Sequence, residues 1–301
     1  MPVPWHRLNW RSLVSAHDPQ SLVETAWLAD HLNAPDVVVV DASWHLPTTG
    51  RNGHDEYLKE HIPGAHFLDI DALSDQTSEL PHMLPDTVKF ASFMKRLGVG
   101  DGVRIVAYDV EGIFAAARVW WMLRVMGHKD VSVLNGGLKK WKADGFAVTD
   151  DDTAARASAH FTPCMVNALL VDVDDLKALS TRAQNGSGQI VDARPSGRFA
   201  GLEPEPRAGL LKGHIPGSCN VPYSSVLNDD GTMKEPRELA SIFSAVGVDP
   251  TAQVCVTCGS GVSAAVLALA LAQLGNDTVP VYDGSWAEWG SPERGLPVSS
   301  D

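Results

Sequence analysis

A chain of 301 residues is long enough for two domains of ordinary size, each with its own core. Its 44% hydrophobic and 20% charged residues are the composition of a folded soluble protein and exclude extended disorder. A formal charge of −13 with no basic cluster argues against nucleic acid and anionic membranes as partners, and no apolar run reaches the roughly 18 residues of a membrane span.

Residues 1–20 hold Pro2, Pro4 and Pro19 among scattered polar residues and read as an N-terminal tail. Arg7 and Arg11 are there, but an apolar signal core is not, so export is not expected. The four cysteines (Cys164, Cys219, Cys255, Cys258) lack disulfide-framework spacing, which suggests a reducing compartment and a cytoplasmic protein. From Ser21, apolar residues at Leu22, Ala26, Leu28 and Leu32 predict a helix ending before Pro35. Val37-Val38-Val39-Val40-Asp41 is apolar on both faces, as buried parallel strands are. His61-Ile62-Pro63-Gly64 follows, then a strand over Ile105 to Asp109, a helix over about Ala115 to Met126, a strand over Val131 to Leu134, and Asn135-Gly136-Gly137 with Trp141.

The second half repeats these signals in the same order. Val40-Asp41-Ala42 corresponds to Val191-Asp192-Ala193, and His61-Ile62-Pro63-Gly64 to His214-Ile215-Pro216-Gly217. Asp109 corresponds to Cys258, and Asn135-Gly136 with Trp141 to Asp283-Gly284 with Trp289. The chain therefore reads as a tandem duplication: a first α/β domain over 21–148, a polar linker over 149–160, and a second domain over 161–301, each with a mainly parallel sheet flanked by helices. Ligands of such sheets bind beyond the carboxyl ends of the strands, where Cys258 falls.

Around Cys258, an apolar run ends, Gly259 and Gly261 bracket Ser260, and an Ala/Leu-rich helix begins near Val262 and Ser263. Glycines let the backbone curl so that its N–H groups face inward, and a helix start adds unpaired N–H groups; a thiolate is stabilised at such a point. A free cysteine is most often a small buried hydrophobe, but the paired glycines favour a nucleophile. The first copy carries Asp109 with Glu111 nearby, an acidic loop that cannot hold a thiolate, though a carboxylate there could cap backbone N–H groups. One active site is expected, with the first domain as a wall.

Other chemistries fit less well. Cys255 and Cys258 form a C-x-x-C, but zinc needs about four ligands and no second pair exists, while Cys255 lies inside the apolar run and reads as core. A phosphatase would need an arginine closing the loop, where Ala264 stands. Arg198 and Arg207 follow the Val191-Asp192 strand; they suit either a bidentate grip on a substrate carboxylate or pairing with Glu203 and Glu205, and the sequence does not separate the two. Asp192 and Arg194 are placed to tie that loop internally. Asp71 and His82 could form a proton-handling pair, although a single histidine in a proline-bounded loop is more often structural. The nine tryptophans read as core and interface packing.

The Asp/Cys alternation between copies, the two H-I-P-G motifs and Tyr282-Asp283-Gly284-Ser285-Trp286-Ala287-Glu288-Trp289 resemble the two-domain rhodanese-like sulfurtransferases, from about Leu22 to Trp289. Within that family, thiosulfate enzymes carry C-R-K-G-V-T and 3-mercaptopyruvate enzymes C-G-S-G-V-T. The loop here, Cys258-Gly259-Ser260-Gly261-Val262-Ser263, looks like the second type and departs from it only in Ser263 for Thr. The resemblance implies two rhodanese-like domains and 3-mercaptopyruvate sulfurtransferase activity. Cys258 is then the sulfur acceptor, Arg198 and Arg207 bind the substrate's carboxylate and keto group, and Ser260, His82 and Asp71 form a relay. It implies no metal or organic cofactor, and a thiol such as thioredoxin, or cyanide in vitro, as the acceptor.

Overall fold

The computed structural model describes residues 20–300, so the tail expected over 1–20 falls outside it apart from Gln20. Two five-stranded, wholly parallel sheets form the frame. The first contains β1 (Leu22–Val23), β2 (Val37–Asp41), β3 (His66–Phe67), β4 (Arg104–Tyr108) and β5 (Val131–Leu134), in the order β1-β5-β4-β2-β3. The second contains β6 (Leu170–Val171), β7 (Ile190–Asp192), β8 (Cys219–Asn220), β9 (Cys255–Thr257) and β10 (Val281–Tyr282), in the order β6-β10-β9-β7-β8. The two orders are one topology written twice, as the internal repeat requires.

β2 is buried along its whole length because helices cover both faces of its sheet, which is why its sequence shows no polar alternation. One expected element is different. Leu22 and Val23 pair with Val133 and Leu134 as an edge strand, and the helix is confined to Thr25–His31. A short apolar stretch beside β5 gains more from ladder hydrogen bonds than from extending a seven-residue helix.

The domains meet through helices Ala115–Val125 and Val262–Gln273, which pack on each other. The latter is buried on nine of twelve residues, so its lack of a polar face reflects burial between the domains. A single apolar cluster runs through both domains, from Val38 and Trp121 to Val256 and Leu269. Trp121 Nε1 donates to Leu169 O (3.0 Å), so an interface tryptophan also satisfies its polar atom. The H-I-P-G motifs are structural in both copies: His61 stacks on Tyr57 at 4.1 Å and His214 on Phe199 at 4.0 Å, and each ring bonds a backbone carbonyl. After the helix Gly137–Ala143 the chain runs without helix or strand until Asn167, and Arg156 to His160 lies against Gly98 and Gly100 of the first domain. No helix among the described residues is long and apolar enough to cross a membrane.

Candidate active site

Cys258 follows directly on β9, at the carboxyl end of the central strand, and is 1% exposed. Its loop turns through Gly261 at φ +78° into helix Val262–Gln273. A Cβ at 261 would come within 2.8 Å of Arg118 Nη1 and 3.1 Å of Asp283 Oδ1, so conformation and space both demand glycine there. Trp286 N–H donates to Cys258 O and Ala287 N–H to Gly259 O, both at 2.9 Å. Across a planar trans peptide, the carbonyl and the following N–H point opposite ways. Anchoring these carbonyls on the 285–289 side therefore turns the Gly259 and Ser260 N–H groups away from it. Neither N–H donates to a carbonyl within the described chain. In the first domain the corresponding cradle is filled: Asp109 accepts the N–H groups of Glu111 (3.0 Å), Phe114 (2.8 Å) and Ala116 (2.9 Å). Burial still pushes the Asp109 carboxyl up from its ordinary range against those bonds.

The interface brings together side chains far apart in sequence. Ser260 Oγ lies 2.9 Å from His82 Nδ1, and His82 Nε2 lies 3.0 Å from Asp71 Oδ1. The His82 bond holds the Asp71 carboxyl below its ordinary range, with Trp44 Nε1 (2.8 Å to Oδ2) assisting. An ionised Asp71 only accepts, so Nε2 carries the imidazole proton and Nδ1 accepts the Ser260 hydroxyl. Trp44 is a correction to the reading of every tryptophan as packing: its ring meets His82 edge-on at 4.7 Å and its N–H orients the carboxylate.

Arg198 and Arg207 enter from the loop after β7. Arg198 donates through Nε (3.1 Å) and Nη2 (2.5 Å) to Glu205, whose other oxygen accepts Arg194 Nη1 at 2.7 Å. Arg194 in turn binds Asp192 and stacks on Trp286 at 4.2 Å, the internal tie expected of that pair. Of the two readings of Arg198, the structure shows the pairing, with Glu205 and not Glu203. Glu205 fixes one edge of the guanidinium, and Nη1 makes no hydrogen bond within the described chain. A Cβ at Gly259 would lie 3.1 Å from Arg198 Nη2, placing this cation beside the cysteine loop. Burial lowers the Arg207 pKa from its ordinary value, and the strongest opposing influence is the charge of Cys258, so this cation shares the sulfur's pocket. Cys255 faces the core, and burial pushes its thiol up to about 12.

Sequence reasoning missed Arg118 and Asp283. Arg118 is fully buried on helix Ala115–Val125, 2.7 Å from Asp283 Oδ1 in an ion pair without hydrogen-bond alignment. It also donates to His82 O and reaches Gly261 O at 3.5 Å, while Asp283 Oδ2 accepts Leu84 N–H at 2.7 Å. The pair ties both sides of the cleft, the His82 loop and the Cys258 loop, to one charge centre. A lone arginine in the apolar run Ala115-Ala116-Ala117-Arg118-Val119-Trp120-Trp121 was the available signal, because such a charge must have a buried partner.

The rhodanese-like domain family model matches residues 24–144 and 172–292. The human 3-mercaptopyruvate sulfurtransferase is 41% identical over 276 residues, covering 90% of this chain and 92% of that one. The bovine thiosulfate sulfurtransferase is also 41% identical, over 277 residues with the same coverage, so overall identity does not separate the two substrates. Among solved structures, the 3-mercaptopyruvate sulfurtransferase SseA from Escherichia coli superposes with a TM-score of 0.80 at 40% identity, covering 89% of this chain and all of that one.

Proposed function

The chain belongs to the rhodanese-like family, and from that premise we propose that it is a 3-mercaptopyruvate sulfurtransferase with one active site, formed by Cys258 and completed by the first domain. What carries the substrate assignment is the neutral loop at Gly259 and Ser260, with its cations supplied from outside by Arg198 and Arg207. Two guanidinium groups beside the cysteine suit a carboxylate and its neighbouring keto oxygen.

In this reading the Cys258 thiolate attacks the sulfur of 3-mercaptopyruvate, an S–S bond forms and the C–S bond breaks. The electron pair passes to the former C3 as the pyruvate enolate, which the two arginines stabilise. The relay of Ser260, His82 and Asp71 takes up the proton of the substrate thiol, with His82 Nδ1 as its acceptor, and returns it through Ser260 to the former C3, converting the enolate to pyruvate. The Cys258 persulfide remains in the N–H cradle until a second thiol, of the thioredoxin class or smaller, takes its outer sulfur. The division into domains at 21–148 and 161–301, joined by 149–160, and residence in the cytoplasm, complete the proposal.

Steady-state rates with 3-mercaptopyruvate and with thiosulfate, cyanide being saturating, test it. A higher kcat/KM for mercaptopyruvate, abolished by Cys258→Ser, is expected. A preference for thiosulfate would overturn the substrate assignment in favour of the activity carried by the bovine relative. Release of a single sulfur per chain without turnover would mark a persulfide carrier instead.

A further inference from the structure

Only two non-glycine residues among the described ones have a positive φ, His82 (+60°) and Ser285 (+51°). His82 has its place in the proton relay; Ser285 has none. Such backbone strain persists where the surrounding structure enforces it and concentrates at functional sites.

The internal repeat supplies a control. Leu138 N–H donates to Asp109 O (3.0 Å) as Trp286 N–H does to Cys258 O, so Gly137 is the first-domain counterpart of Ser285. Gly137 has nearly the same φ, +54°. There a Cβ would lie 2.2 Å from Asp109 O, and glycine is compulsory. At 285 the catalytic copy leaves room for a side chain, yet glycine would still be the unstrained choice. The fully buried Ser285 hydroxyl uses all its bonding capacity. It donates to Tyr282 O (2.8 Å) and accepts from Cys258 N–H (3.3 Å) and Thr257 Oγ1 (3.4 Å).

We propose that Ser285 is a positioning residue for sulfur transfer, its hydroxyl fixing the Thr257–Cys258 peptide so that the sulfur faces the inward N–H groups of its loop. The Trp286 and Ala287 N–H groups orient the next two peptides by their carbonyls; Ser285 holds the first by its N–H. Without the hydroxyl that peptide tilts, and the thiolate is less well stabilised. The inference rests on Cys258 being the nucleophile.

The test uses Ser285→Ala, Ser285→Gly and Cys258→Ser in the full chain. Three quantities are measured: thermal stability, kcat and KM for mercaptopyruvate, and the pH dependence of Cys258 alkylation by iodoacetamide. Ser285→Gly relieves the strained φ, which offsets part of the lost hydrogen bonding, and should remain folded at the assay temperature. Both Ser285 variants should lose about tenfold or more in kcat with KM changed less than about threefold, and their alkylation profiles should move to higher pH. Equal loss in the Ala variant, which keeps the strained Cβ, and in the Gly variant, which relieves it, assigns the effect to the hydroxyl. If Ser285→Gly is stable and keeps wild-type kcat and alkylation profile while Cys258→Ser is inactive, the inference falls and the nucleophile stands. If Cys258→Ser retains turnover, the reading of the site falls with it.

Discussion

Asp41 in the first domain is fully buried at the end of β2, with Oδ1 accepting Ser43 N–H at 2.8 Å and Oδ2 without a partner. Burial pushes its carboxyl up to about 6. The second-domain counterpart, Asp192, is neutralised by Arg194 two residues on, where the first copy has only Ser43. A raised carboxyl pKa means that the folded chain holds a proton that the unfolded chain has already released. Stability therefore falls as pH rises from the ordinary carboxylate value of 3.8 through about 6. About two pKa units at 1.36 kcal/mol each put the full loss at about 3 kcal/mol. Asp41→Asn removes this titration but places an amide N–H₂ where Oδ2 had no partner, at a cost of about 1 kcal/mol. The variant should be about 2 kcal/mol more stable than wild type near pH 8 and slightly less stable near pH 4. Urea unfolding of both proteins at the two pH values, followed by tryptophan fluorescence, measures the difference. A variant-minus-wild-type stability that does not change with pH would refute the argument, whatever its absolute size, because the amide cost does not titrate.

Three further outcomes follow from the site. Asp71→Asn should lower mercaptopyruvate turnover by about 10- to 100-fold near neutral pH. Because His82 holds this carboxyl below its ordinary range, the wild-type advantage should persist through mild acid and vanish only as pH falls through that depressed value, which a kcat–pH profile for both proteins would show. Gly259→Arg with Ser260→Lys should shift the ratio of kcat/KM values toward thiosulfate and raise KM for mercaptopyruvate several-fold, since a side chain at 259 meets Arg198 Nη2 at 3.1 Å; unchanged ratios would show that the loop does not set specificity. Arg118→Met should destabilise by about 3–5 kcal/mol by leaving Asp283 charged and buried, and Arg118→Met with Asp283→Leu should recover much of that stability in denaturant titration without recovering activity.

The amino-acid sequence by itself determined the duplication, the parallel α/β class and the position of the cysteine loop, because those depend on local patterns. Runs such as Val37 to Val40 need no polar alternation inside a covered sheet, and a Gly-x-Gly loop between strand and helix admits the left-handed backbone that a tight turn there requires. Leu22 and Val23 misread as helix because two residues of edge strand are decided by their β5 partners Val133 and Leu134, far along the chain. The tertiary structure alone decided which distant groups share the cleft: Ser260 meets His82 across 178 positions, and Arg118 meets Asp283 across a domain interface. It also changed what Trp44 and Ser285 mean. In the sequence, one is another aromatic residue and the other a letter in a repeated motif; their hydrogen bonds to Asp71 and to the Cys258 N–H exist only once the sheets and loops are in place. Periodicity records which face of an element is buried, whereas a catalytic constellation depends on where separate elements end in space, and no local pattern carries that distance.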